Sequence, residues 1–233
     1  LEKYDLAESQ LAGFFNGEPL TPGQEDVLVR ILFRLPRIGY ESIHKWRKPG
    51  LQLDQLMADT PAHRLEVIPL QGRLLGVEQR EVAPELPQRL EIKHYYLARI
   101  SLTDLGYEAV VAVRRIPAHW LVAPELNEPV SLDGIYLKVL DQTADPPQLL
   151  FVSRRIHWLP DRPVPEMNIG PDQLRLAALG LDLTLLEDLK QSNRRELGDL
   201  DREPQYQLLD LVGRTPAAKF VADPPKEIDV VAL

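Results

Sequence analysis

Val67-Ile68-Pro69-Leu70-Gln71-Gly72-Arg73-Leu74-Leu75-Gly76-Val77-Glu78-Gln79-Arg80, extended on both sides to cover 65–82, is the stretch that decides the fold. Apolar and polar residues alternate along it, the period of a strand with one face buried. It is too long to run straight, and Gly72 and Gly76 would let it bend around a barrel corner. Four further stretches have the same character: 94–103, 107–116, 129–140 and 148–158. Residues 102–106 fit a tight hairpin, and the proline-rich stretch 117–127 leaves room for a short helix before the fourth strand. A long bent first strand, five strands in all and an insertion before the fourth is the pattern of an OB-fold. A lipocalin-like or SH3-like barrel fits the same spacing. The expected fold class is α+β, with a central five-stranded OB-like β-barrel over 64–160 flanked by short helical segments.

The flanks read as helix. In 24–35, Val27, Leu28, Ile31, Leu32 and Leu35 recur at helical spacing. Thr21, Pro22 and Gln24 supply an N-cap, a first-turn proline and a capping-box partner, and Pro36 with Gly39 stops the helix. A shorter helix is expected over 5–15, and 51–57 fits a helix or a turn. Residues 1–63 thus form a helical segment. Residues 161–233 form a proline-rich linker and a second helical segment, with helices expected over 182–189 and 203–212. Shifting the first flank by 177 positions gives seven identities across 52 ungapped positions, among them Asp5 on Asp182, Leu32 on Leu209, Arg37 on Arg214 and Leu56 on Leu233. Fixed-period similarity is the mark of repeat architectures, so the third region is expected to start a second repeat. The start at Leu1 and the apolar end at Leu233 lead to the expectation of a longer parent chain.

Composition narrows the chemistry. The net charge is −8, with 7 basic and 9 acidic residues over 1–63, 11 and 12 over 64–160, and 9 and 14 over 161–233. Such a balance opposes sequence-independent binding to phosphate backbones, which needs a basic surface. The absence of cysteine excludes thiolate zinc sites, iron–sulfur clusters, cysteine nucleophiles and disulfides. No run of 18 apolar residues occurs, so no membrane insertion is expected. Ser9, Ser42, Ser101, Ser131, Ser153 and Ser192 lack a G-x-S-x-G context, and no glycine-rich phosphate loop or HExxH occurs. Asp199 with Asp201 and Glu85 with Glu91 read as solvated surface, and no catalytic residue, cofactor or metal is expected.

His94-Tyr95-Tyr96-Leu97 and the run from Glu128 through Pro129, Gly134 and Tyr136 to Lys138 resemble uncharacterised envelope proteins of planctomycete bacteria. The resemblance covers about 50–160. Of the aromatic row that those proteins show at the second site, Tyr136 is the one present here. It implies repeated OB-like units, a membrane-anchored parent and an extracytoplasmic location, and carries no activity.

Two Arg-Arg-Ile runs, Arg114-Arg115-Ile116 and Arg154-Arg155-Ile156, each lead into His-Trp-Leu, at His119-Trp120 and His157-Trp158. In an OB topology the third and fifth strands lie parallel, which brings Arg114, Arg115, Arg154 and Arg155 to one end of the barrel. Planar guanidinium groups suit carboxylate or phosphate. Either acids from a flanking helix pair them, locking helices to barrel, or they take an anionic ligand with Trp120 or Trp158 nearby to stack. The expected function is a non-catalytic structural or protein-interaction module of a larger extracytoplasmic protein, its partner another protein or further repeats. The alternative is an OB-type binder of an oligonucleotide or oligosaccharide. The outward face of the second and third strands, with Tyr95, Leu97, Arg99, Val110 and Ala112, discriminates between them.

Overall fold

The computed structural model describes residues 11–50, 52–82, 92–102, 105–123, 125–185 and 202–216. The chain divides into two compact units, Leu1–Asp161 and Arg162–Leu233. The first holds helices α1 (Pro22–Arg34), α2 (Tyr40–Lys45), α3 (Leu53–Ala58) and α4 (Thr60–His63). Strands β1 (Val67–Glu81), β2 (His94–Leu102), β3 (Tyr107–Val113), β4 (Glu128–Asp141), β5 (Gln148–Ser153) and β6 (His157–Trp158) follow. The second unit holds α5 (Pro171–Ala178) and α6 (Arg202–Arg214). The helix expected over 5–15 falls largely outside the described residues, as do most pairs of the 177-residue repeat.

The strands form one sheet in the order β1-β2-β3-β5-β4-β6, and an added β1–β4 pairing closes the hydrogen bonds into a ring through five strands. The expected α+β class is therefore the observed one. β1 closes the ring by serving two partners. Its first half, Val67 to Leu74, runs antiparallel to β4, and from Arg73 onward it runs antiparallel to β2, with a bulge between Leu74 and Gly76. Gly72 lies just before the stretch where β1 pairs with both β4 and β2, and an added Cβ there would overlap the Ser101 carbonyl oxygen and crowd Ile100 Cγ2 at 2.9 Å. The bend expected of Gly72 therefore has a steric origin, since only a residue without a side chain lets β1 approach β2 so closely. β2 and β3 join at Leu102↔Tyr107 beside Gly106, whose φ of +70° suits glycine.

β3 and β5 are parallel, in the register Ala112↔Val152. Both faces of these strands are buried, so in Tyr107–Val113 and Gln148–Ser153 the expected alternation gives way to nearly continuous apolar side chains. Cross-strand partners Ala98, Val111, Phe151 and Tyr136 share one face. On the other face, Tyr95, Leu97, Val110, Ala112, Ile135, Leu150 and Val152 pack with Leu28, Val29, Ile31 and Leu32 of α1. α1 begins as expected: Thr21 Oγ1 accepts from Gln24 N, and Gln24 Oε1 accepts from Thr21 N, both at 3.4 Å.

Two strands end short of expectation, the third at Val113 rather than 116. The fifth does not run through 148–158 but ends at Ser153, whose hydroxyl donates to the carbonyls of Asp133 (2.9 Å) and Arg155 (2.8 Å). The chain bends at Arg154, and His157–Trp158 then pairs with β4 as a separate short strand, Val130↔Trp158. In the second unit, the Asp182 carboxylate accepts from the Thr184 backbone N–H (3.0 Å) and hydroxyl (2.8 Å) at the start of a helical turn. α6 turns Glu203, Gln207 and Leu211 inward and leaves Leu209 68% exposed. Its repeat partner Leu32 is 1% exposed, so the two aligned leucines stand in opposite environments.

Gly72→Ala is expected to cost about 2–4 kcal/mol, because the overlap is with backbone and cannot relax by a rotamer change. Gly76→Ala should stay within about 1 kcal/mol, since its Cβ would meet the Arg99 guanidinium at an ordinary 3.4 Å. Urea unfolding of both variants checks the contrast.

Candidate functional site

The parallel register of β3 and β5 brings the two Arg-Arg-Ile runs to neighbouring strand ends. Both strands bend at the first arginine, Arg114 and Arg154. Arg114, Arg154 and Arg155 are half-buried and engaged with neighbours, while Arg115 is exposed. The repeated His-Trp pairs also come together. Trp120 and Trp158 meet edge to face at 6.3 Å, and the His119 ring tilts against Trp158 at 4.4 Å. Trp158 Nε1 donates to Glu128 Oε2 at 2.9 Å, with Glu128 itself buried. Both tryptophans are almost fully enclosed, at 2% and 1% exposed, so neither offers a ring face on which a ligand could stack. Both rings belong to the core. The aromatic pairing that buries them follows from the β4–β6 register, which the sequence reading had merged into the fifth strand.

Several polar ties bind the helical segment to the sheet. Lys138 of β4 has no solvent exposure. Its ammonium donates to the Glu18 carbonyl at 2.7 Å and to Gln24 Oε1 at 3.1 Å. Burial lowers its pKa and the nearby Glu18 carboxylate opposes that. Gln24 thus caps α1, holds Lys138, and through Nε2 reaches the Gly13 carbonyl at 2.7 Å. Arg47 forms a two-pronged pair with Asp133 of β4, Nε–Oδ1 2.6 Å and Nη2–Oδ2 2.9 Å. Arg64 donates to the carbonyls of Leu11 and Phe14. The Val139 N–H is accepted by Asn16 Oδ1, and its carbonyl accepts from the Gly17 N–H. Two residues before Lys138 on β4, Tyr136 lies within hydrogen-bond distance of Thr60 Oγ1, 3.0 Å, and donates to the Leu56 carbonyl, 3.2 Å. Burial pushes the Tyr136 hydroxyl up to about 12, so it remains a donor. The capping pattern at Thr21 and Gln24 and the run ending at Lys138 were the sequence signals in this region. Nothing in the sequence marked Lys138 as buried.

A groove of about 440 Å³ opens beside Trp120, with Leu75 and Val77 of β1 on one side and Leu121, Glu125 and Leu126 of the β3–β4 connection on the other. Leu75, Leu121 and the adjacent Val122 are 41%, 45% and 80% exposed. Among the described residues, no group of three or more His, Asp or Glu side chains is placed to hold a metal, and no helix is long and apolar enough to cross a membrane.

Two outcomes test this geometry. Arg47→Ala leaves the Asp133 carboxylate, 9% exposed, without its cation. The expected loss is about 1–3 kcal/mol, below that of a fully buried pair because Arg47 itself is partly exposed. Burial also holds His119 below its ordinary 6.5, and Glu128 only partly offsets this. The unfolded chain therefore takes up the proton first. Stability should be full above pH about 6.5, fall as the pH drops below that value, and level off beneath the folded pKa. Melting temperatures of the native chain minus those of His119→Phe, followed from pH 8 to 5, should show that slope; a flat difference would contradict it. No model of a known protein family matches this chain, and no curated protein matches it either.

Proposed function

We propose that the chain is a non-catalytic structural and protein-interaction module, built on an OB-like barrel, of a larger extracytoplasmic protein. The strand order supports the OB-like reading: a five-stranded ring in which a bent β1 serves both β2 and β4, with β3 parallel to β5. The observation that carries the functional reading is the fate of the outward face of β2 and β3. Tyr95, Leu97, Val110 and Ala112 lie beneath α1 in a shared apolar core. A single-strand-binding OB surface instead presents aromatic platforms and a basic groove to solvent. Here the apolar part of the face is spent on the chain's own helical segment, with Arg99 left exposed, and α1 packs on β3 and β5.

The resemblance to repeat-built envelope proteins supports a parent of several such units, with further repeats or another protein as the partner. The Arg114, Arg115, Arg154 and Arg155 ends lie at the rim of the ring and suit acidic groups of such a partner or of the chain itself.

Fluorescence anisotropy with labelled oligo-dT at physiological salt tests the reading against the oligonucleotide alternative. No binding is expected. Micromolar or tighter binding that weakens as salt rises would replace the module with a nucleic-acid binder.

A further inference from the structure

We infer that the open edge of β1, residues 75–81, together with the groove at its base, docks an extended peptide that carries basic residues followed by an apolar one. This deepens the interaction-module reading and rests on it. β1 pairs with β4 only as far as Leu74↔Glu128. From Gly76 to Glu81 it pairs with β2 alone, so among the described residues no strand occupies its other side. The side chains of Glu78, Gln79, Arg80 and Glu81 are all exposed. A strand edge of this kind offers its N–H and C=O groups to an incoming extended chain. A peptide laid there would continue the line that β4 abandons before Glu128.

The groove supplies what a bare edge lacks, a place for an anchoring side chain. It sits where the edge begins, between Leu75 and Val77 on the strand and Leu121 and Leu126 opposite. Leu75, Leu121 and Val122 form an exposed apolar cluster around it. Charged side chains also serve to blunt edges against aggregation, and Glu78, Arg80 and Glu81 do so along the outer part. The apolar end at Leu75 is not blunted. Charge selects the partner. Glu125 lies in the groove and Glu78 and Glu81 along the edge. Arg80 and Glu78 hold each other at 2.9 Å, and the Arg99 guanidinium of β2 lies beside Gly76, so Glu81 and Glu125 together leave the surface net acidic. Opposite charges on neighbouring strands attract, so the incoming chain should bear lysine or arginine.

Panning the whole chain against a phage-displayed library of random linear peptides tests this. The enriched peptides should combine an apolar anchor with lysine or arginine, and labelled copies should bind in anisotropy assays. Leu121→Asp and Leu75→Asp should each weaken binding about tenfold or more, with unchanged thermal melting because both side chains are half exposed. Glu125→Lys should weaken it too, and N-methylation at alternate peptide nitrogens should abolish it. Absence of enrichment, acidic peptides, or binding indifferent to Leu121→Asp and to N-methylation would overturn the inference. A dimer in light scattering that Leu75→Asp dissolves would give the edge to a second copy and overturn it as well. Failure here alongside silent oligo-dT leaves the module reading standing and removes only this surface; binding of oligo-dT overturns the module reading itself.

Discussion

An ammonium group with no access to water sits on the sheet of this protein, and much of the first unit is arranged around it. Lys138 cannot be solvated where it lies, so it must find oxygen acceptors within the fold. Those acceptors are the Glu18 carbonyl and Gln24 Oε1, both from the helical segment. Lys138 is therefore compatible with the fold only when that segment is seated. Gln24 is positioned by the same capping box that starts α1, so helix initiation and charge satisfaction share one side chain. The pair at Arg47 and Asp133 and the reach of Arg64 to Leu11 and Phe14 repeat the logic.

What this seating accomplishes is the covering of a second apolar face. A ring of strands with an apolar interior needs no helix on its outside. Here Val110, Ala112, Leu150 and Val152 face outward and are as enclosed as the interior residues. Left bare, such a face would be a large exposed apolar patch. The helical segment and the ring are thus parts of one compact unit, although the sequence describes them in different idioms, helical period in one and alternation in the other.

The strands were legible because alternation and punctuation agree. β1 to β4 fall within a few residues of where their patterns place them, and Gly72 marks the bend for a reason that close packing makes plain. Two things could not be read. The end of the fifth strand was not readable, because the bend at Arg154 is accompanied by a serine hydroxyl meeting carbonyls, an interaction without a sequence period. The buried polar ties hid because Lys138 is indistinguishable from a solvent-facing lysine until its neighbours are known. The His-Trp repeats drew notice for a sound reason, since they do converge, but as an aromatic core sealed by Glu128. The exposed groove was missed because its walls, Leu75 and Leu121, come from segments with no common pattern.

The order of the elements along the chain has a consequence for how the protein is made. α1 ends at Arg34, yet part of the surface it covers belongs to β5, which begins at Gln148. A ribosome that adds ~5–20 residues per second needs on the order of ten seconds to bridge that gap. Through that interval Leu28, Ile31, Leu32 and Leu35 have left the tunnel without the strands that will enclose them. The ring itself is no earlier, because β4 must arrive before β1 can close it. Synthesis of this unit therefore passes through a long interval in which the apolar face of α1 has no strands to cover it.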